Sequence, residues 1–281
     1  MILSDSLIKR AFHLAEQNEF AKSKEALDCY LKEVENLNCH DNLVFGTFRL
    51  CSGGKPNKLD IRMPLSWEIL EKQGNRLLLI SEFCLDWNCY NGNCPILGPS
   101  ADTTWENSTI RQELNNEFFD NSFSENEKFI IVTTEIKTKP NPICGNNPGN
   151  DTQDKIFLLS IEEMLKYYSA NDRIPLPEDK INQLVEKIIS DRHQYFYIGN
   201  FGAKTELLMA DDLVKDKINK DPYSWWLRTP GVNQKKVSVV THDGYIDFGG
   251  ISSSADEVGI RPAMWIDFDL AKNFILTGTS K

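Results

Sequence analysis

The dipeptide Asp243-Gly244 is the sequence feature that most restricts how this chain can fold. It separates two runs of strand-forming residues, 237–242 and 245–248. An Asp-Gly pair in this setting is among the strongest short-range signals of a β-hairpin. A two-residue turn would place Val239 opposite Phe248 and would fix the rest of the pairing. The sequence therefore predicts an antiparallel hairpin in this register.

The two sides of this hairpin differ in polarity, because side chains alternate along a strand. The side predicted to face the core carries Val237, Val239, Thr241, Ile246 and Phe248. The side predicted to be accessible carries Ser238, Val240, His242, Tyr245 and Asp247. Polar side chains that surround a tyrosine on a rigid sheet are suited to binding.

The start of the chain has helical rather than strand periodicity. Apolar residues recur at helical spacing through 4–38, with an interruption at 17–19, and this predicts two antiparallel helices. The segment resembles part of a tetratricopeptide repeat, but its period does not recur, and a solenoid needs about three repeats. We expect a lone helical hairpin in 1–50 that packs on the next domain or mediates self-association. A second domain is expected over 51–281, with an extended segment at about 178–221.

Helix-start signals and turn signals are mixed through the second predicted domain. Ser108, Ser124 and Ser160 each precede an apolar helical pattern, and the last two fit capping boxes. Strand-like runs flank Gly74-Asn75. Helices interspersed with short hairpins predict an α+β fold.

Charge and cysteine content restrict the class of partner and the compartment. The chain has 41 acidic and 31 basic residues, so no basic surplus is available for nucleic acid. No apolar run approaches the roughly 20 residues that span a membrane, and we recognise no secretory signal in the first residues. The seven cysteines are an odd number, which favours reduced thiols and a cytoplasmic protein.

Neither a metal site nor a catalytic motif is evident. Cys84, Cys89 and Cys94 recur every five residues without the second pair that zinc sites usually show. The four histidines are scattered. Asp211-Asp212 and the pair Asp267 and Asp269 could bind a hard cation, although solvated surface is the favoured interpretation. We therefore expect no cofactor, no structural metal and no catalytic residues.

Buried aromatic and basic residues are predicted in the second domain. Trp105 and Trp226 are expected in the core because of their large apolar area. Arg228 and Arg261 lie inside apolar segments, where an arginine must be paired or heavily hydrogen-bonded. All four are expected to have structural roles.

Five short motifs carry a resemblance to a known group of proteins. They are Thr104-Trp105-Glu106, Asn147-Pro148-Gly149-Asn150, Thr152-Gln153-Asp154-Lys155-Ile156-Phe157, Trp225-Trp226-Leu227-Arg228 and Gly259-Ile260-Arg261-Pro262-Ala263. Over about residues 60–268 the chain resembles an uncharacterised bacterial domain family. The last two motifs resemble the ending of the C-type-lectin-like fold, which formylglycine-generating enzymes and retroelement variable proteins share. The resemblance implies a short twisted antiparallel sheet with flanking helices.

Two departures limit what the resemblance implies about function. Formylglycine-generating enzymes use cysteines late in the domain, and this chain has none after Cys144. Calcium-dependent lectins pair a Trp-Asn-Asp segment with a second motif, but Trp87-Asn88 has no matching partner segment here. The resemblance therefore implies neither formylglycine generation nor calcium-dependent sugar binding.

The surface between Arg228 and Arg261 is the expected functional region. We expect a non-enzymatic module that binds an unknown protein or a small polar ligand. The candidate binding residues are Asn233, Lys235, Ser238, His242, Tyr245, Asp247, Ser252, Ser253, Ser254 and Asp256. The alternatives are an enzyme of unknown class on the same scaffold and an assembly component that uses the helical hairpin.

Overall fold

Helices and antiparallel sheets occur together in the computed structural model, and the predicted α+β fold is confirmed. The structure describes residues 2–49, 51–52, 55–56, 62–92, 102–170, 174–198 and 224–277. Within these ranges, no helix combines the length and the apolar character that crossing a membrane requires.

The helical elements are α1 (Ser6–Glu16), α2 (Phe20–Glu35), α3 (Thr109–Glu113), α4 (Phe119–Ser122), α5 (Glu125–Ile130), α6 (Ile161–Tyr168), α7 (Glu178–Asp191) and α8 (Phe268–Thr277). A π-helical turn, Leu114–Phe118, joins α3 to α4. Capping boxes at Ser124 and Ser160 start α5 and α6, as the sequence predicts. The helices α1 and α2 occupy the predicted positions, and Tyr30 of α2 packs edge-on against Phe268 of α8, with 5.5 Å between ring centroids.

The strands are β1 (Ile2–Leu3), β2 (Asn42–Arg49), β3 (Cys51–Ser52), β4 (Lys55–Pro56), β5 (Arg62–Gln73), β6 (Arg76–Ser81), β7 (Asp86–Trp87), β8 (Thr134–Ile136), β9 (Thr152–Asp154), β10 (Tyr195–Tyr197), β11 (Trp225–Pro230), β12 (Lys236–Val240), β13 (Tyr245–Ser252), β14 (Gly259–Ile260) and β15 (Ala263–Asp267). The hairpin predicted around Gly74-Asn75 is formed by β5 and β6.

Two larger sheets contain most of these strands. One has the order β1-β2-β5-β6-β15 and the other the order β10-β13-β12-β11-β14-β7. The pairing of β2 with β5 crosses residue 50, so strands from both predicted domains share the first sheet. Of the predicted extended segment at 178–221, α7 and β10 form the first part, and residues 199–221 lie outside the described ranges.

The register predicted for the β12–β13 hairpin is wrong by one residue. Val239 lies opposite Asp247, and Val240 lies opposite Ile246. The cause is a three-residue loop, which Thr241 closes by donating its N–H to the carbonyl of Tyr245 at 2.7 Å. Gly244, the last loop residue, has a φ of +86°, a conformation that glycine adopts without steric cost.

The predicted accessible side of the hairpin is largely buried. Ser238, Val240 and Asp247 are all at most 6% exposed, so the prediction is wrong for these three residues. Both strands lie inside the six-stranded sheet. Asn141 covers part of the sheet and donates hydrogen bonds to the carbonyls of Pro230 and Phe248, each at 2.8 Å.

Candidate functional site

The motif residues around Trp105 form a buried polar network. Its centre is the carboxylate of Asp154, which accepts hydrogen bonds from Trp105 Nε1 at 2.8 Å, Arg111 Nε at 2.7 Å and Thr152 Oγ1 at 2.6 Å. Three donors satisfy this fully buried carboxylate, so Asp154 stabilises the fold and its carboxylate is not accessible to a ligand.

Arg228 is paired as the sequence predicts. It is 6% exposed, and its guanidinium bonds both carboxylate oxygens of Glu163 and the carbonyl of Leu158. Glu163 also closes the capping box of α6. Trp226 is fully buried and donates its Nε1–H to the carbonyl of Asn88 at 2.8 Å.

Arg261 belongs to a second buried network that joins the two larger sheets and α6. Its Nη2 lies 2.9 Å from Glu68 Oε2, which also accepts the hydroxyl of Tyr168 at 3.0 Å. His40 bonds the other oxygen of Glu68. Burial alone would raise the pKa of Glu68, but the hydrogen bond with His40 and the charge of Arg261 outweigh it and hold that pKa below its usual value.

The predicted binding residues do not form one surface. Ser238, Asp247 and Ser253 are buried. His242 and Tyr245 are exposed beside the hairpin loop. The remaining five lie at the opposite end of the hairpin, and these are Asn233, Lys235, Ser252, Ser254 and Asp256. The five residues of β12 lie between the two ends and span about 13 Å, which is four steps of about 3.3 Å.

Tyr245 belongs to a surface that the sequence analysis missed. On β10, Tyr197 lies opposite Tyr245 and Tyr195 lies opposite Asp247. Paired residues and alternate residues of a strand share one side of a sheet. Tyr195, Tyr197 and Tyr245 are 52%, 50% and 37% exposed, and the rings of the last two are 5.0 Å apart. We name these three residues the tyrosine surface; the alternation of residues 195–197 was the available sequence signal.

The backbone of β10 adds polar groups beside these rings. The carbonyl of Gln194 accepts a hydrogen bond from the N–H of Phe248, and the N–H of Ile198 donates one to the carbonyl of Gly244. Each N···O distance is 3.0 Å. Since pairing directions alternate along an antiparallel strand, the N–H and C=O of Tyr195 point away from β13. Among the described strands, β10 pairs only with β13. The tyrosine surface therefore lies at an edge of the sheet with outward-facing backbone groups.

A cavity of about 420 Å³ lies between α6 and α7. Each basic side chain in its lining is paired with a carboxylate: Lys137 with Glu135 and Asp151, Lys139 with Glu162, Lys166 with Glu71, and Arg228 with Glu163. The cavity therefore presents no basic group that needs an anionic ligand.

The cysteines have no obvious chemical role in the described ranges. Cys29, Cys39, Cys84, Cys89 and Cys144 form no disulfide, and Cys94 lies outside those ranges. Burial raises the pKa of the Cys39, Cys89 and Cys144 thiols, which disfavours the reactive thiolate.

Metal-ligand geometry is also lacking in the part of the chain that the structure covers. It contains no group of three or more histidine, cysteine or acidic side chains that could hold a metal ion. Asp267 is 3.7 Å from Arg76 Nε, and Asp269 is 3.0 Å from Lys272 Nζ. Asp211-Asp212 lies outside the described residues.

Comparison with known proteins identifies one domain. Residues 74–268 match the domain family described as domain of unknown function (DUF6273). The match begins at residue 74 rather than near 60, and the expectation of a family without an assigned function is confirmed. No curated protein and no solved structure matches the chain.

Proposed function

We propose, from the premise that this chain belongs to the DUF6273 family, that it is a non-enzymatic protein-binding module. Its partner presents an extended segment that lies along β10 and packs against the tyrosine surface. The observation that supports this proposal best is the placement of three exposed tyrosines beside the outward-facing N–H and C=O of Tyr195.

Tyrosine rings and a strand edge favour the same kind of partner. Tyrosine provides a large rigid contact area at a low cost in side-chain entropy, and it is enriched among residues that contribute most to binding. An extended segment can hydrogen-bond to an exposed strand and place alternate side chains on the neighbouring surface. The backbone of the segment would supply affinity, and its apolar side chains would contact the rings.

The proposal also covers the fold of the domain, the origin of the protein and its cellular compartment. We infer a C-type-lectin-like domain in a bacterial cytoplasmic protein. The motifs Trp225-Trp226-Leu227-Arg228 and Gly259-Ile260-Arg261-Pro262-Ala263 support the scaffold and the bacterial origin by resemblance. The odd number of cysteines supports the compartment.

Selection from a library of random peptides tests this function. Selected peptides are expected to bind at least about tenfold more weakly to Tyr197→Ala, because truncating a tyrosine that dominates an interface costs about 2 kcal/mol or more, and about 1.4 kcal/mol is a factor of ten. Tyr195→Pro should weaken binding similarly, since it removes an N–H that β13 does not use. Binding is measured by calorimetry on variants whose circular dichroism matches that of the unmodified chain.

Two variants separate specific from general effects. Tyr195→Phe keeps the ring and the N–H and should retain binding. Phe20→Ala removes a 40% exposed ring from α2 and should also retain it. The proposal is wrong if no peptide is selected, or if every selected peptide binds Tyr197→Ala and Tyr195→Pro as tightly as the unmodified chain.

A further inference from the structure

A second candidate site lies at β7, at the other end of the sheet from β10. It is a cavity of about 320 Å³ between β7, β14 and the π-helical turn that follows α3. Its floor is apolar and includes Leu85, Ile110, Leu114, Phe118, Ile260 and Pro262. This volume falls at the lower end of the range that small ligands occupy in proteins.

The charged residues in the described lining of this cavity are all acidic. Asp86, Glu113 and Glu117 line it, and no lysine, arginine or histidine among the described residues does so. None of these three carboxylates forms an ion pair with a lysine, arginine or histidine of the described part of the chain. The amide of Asn88 donates to Glu113 Oε2 at 3.2 Å, which satisfies one oxygen but supplies no positive charge.

Glu113 is the carboxylate in this cavity that its acidic neighbours destabilise. Burial raises the pKa of Asp86, and burial together with the charges of Asp86 and Glu117 raises that of Glu113. A bound cation would relieve this repulsion. The described carboxylates are not grouped closely enough to hold a metal ion, and the apolar floor has no role in metal binding.

We propose that this cavity binds an organic cation that has a protonated amine and a hydrocarbon chain. The ammonium group faces Asp86, Glu113 and Glu117, and the chain lies on the apolar floor. A free aliphatic amine and the lysine side chain of another protein share this chemistry. The site is independent of the tyrosine surface, so either proposal can fail without the other.

Titration with n-hexylammonium chloride tests the site directly, with methyl resonances of isoleucine and leucine as the readout. Saturable shifts are expected at Ile110 and Leu114. Hexanol has the chain without the charge, and methylammonium has the charge without the chain, so both should bind at least about tenfold more weakly. Non-saturating shifts, or hexanol binding as tightly as hexylammonium, would overturn the proposal.

Charge-removing variants identify the acidic groups. Glu113→Gln combined with Glu117→Gln should weaken hexylammonium binding about tenfold, the change expected for losing about 1.4 kcal/mol of attraction. The matched control combines Glu25→Gln with Glu33→Gln on exposed positions of α2 and should leave binding unchanged. Equal affinity for the two double variants would contradict the assignment of the carboxylates.

A peptide titration distinguishes the two sources of the amine. The probe is a glycine pentapeptide with one central lysine, and its control has norleucine in place of that lysine. Tighter binding of the lysine peptide than of hexylammonium would support the site and identify a protein side chain as the ligand. Binding of hexylammonium alone would support the site and identify a free amine, and binding of neither would overturn it.

Discussion

Glu68→Gln is expected to lower the free energy of unfolding by about 3–5 kcal/mol, the usual cost of removing one partner from a buried ion pair. The substitution keeps the size of the side chain but leaves Arg261, which is 1% exposed, without a counter-charge. Its Nε would still donate to the carbonyl of Ser81 at 2.7 Å. The carbonyl of Ser81 and the amide oxygen of the introduced glutamine are both neutral, and neutral acceptors do not compensate for the lost counter-charge.

The same pair predicts how stability changes with pH. The pKa of folded Glu68 lies below its usual value, so this carboxylate contributes stability above its unfolded pKa of about 4.3 and loses it as the pH falls through the folded value. The unmodified chain should therefore lose more stability on acidification than Glu68→Gln. Urea unfolding of the unmodified chain and of Glu68→Gln between pH 7 and pH 3 measures how much stability each one loses.

Glu135→Gln is the matched control for Glu68→Gln. The side chains of Glu135 and Lys137 are 54% and 60% exposed, and an exposed pair contributes no more than about 1 kcal/mol. Equal destabilisation by the two substitutions would contradict the structural role assigned to the Glu68 network.

Phe248→Ala is expected to lower the free energy of unfolding by about 3–5 kcal/mol, the range for truncating a buried phenylalanine. Phe248 is 1% exposed and lies in β13, an interior strand of the six-stranded sheet. Tyr245→Ala should cost about 1 kcal/mol, because this ring is 37% exposed and loses chiefly its contact with Tyr197. Denaturant melts of the two variants make the comparison, and equal costs would mean that Tyr245 lies in the core.

The sequence predicted structural features that depend on neighbouring residues. The capping boxes, the helical periodicity of 4–38 and the turn at Gly74-Asn75 all rest on interactions within a few residues, and the structure contains each element. The sequence also predicted that Arg228 and Arg261 would each have a partner, because both arginines lie inside apolar segments. The identity of each partner could not be predicted, because Glu163 is 65 residues from Arg228 and Glu68 is 193 residues from Arg261.

The candidate site was predicted less completely, for two physical reasons. A three-residue loop replaced the expected two-residue turn and shifted the pairing by one residue, and Ser238, Val240 and Asp247, predicted to be accessible, are buried. The tyrosine surface also depends on β10, which pairs with β13 from about 50 residues away. Local patterns do not specify such long-range pairing, so Tyr245 was identified without Tyr195 and Tyr197.

Amide hydrogen exchange at β10 tests the proposed binding mode most directly. The amide of Phe196 faces β13, whereas that of Tyr195 points outward. With a selected peptide at saturation, the account predicts that exchange at Tyr195 slows at least about tenfold, as expected when an exposed backbone N–H becomes hydrogen-bonded. Phe196 should be protected in both the free and the bound chain. Unchanged exchange at Tyr195 under saturating peptide would contradict the proposal that a partner segment pairs with β10.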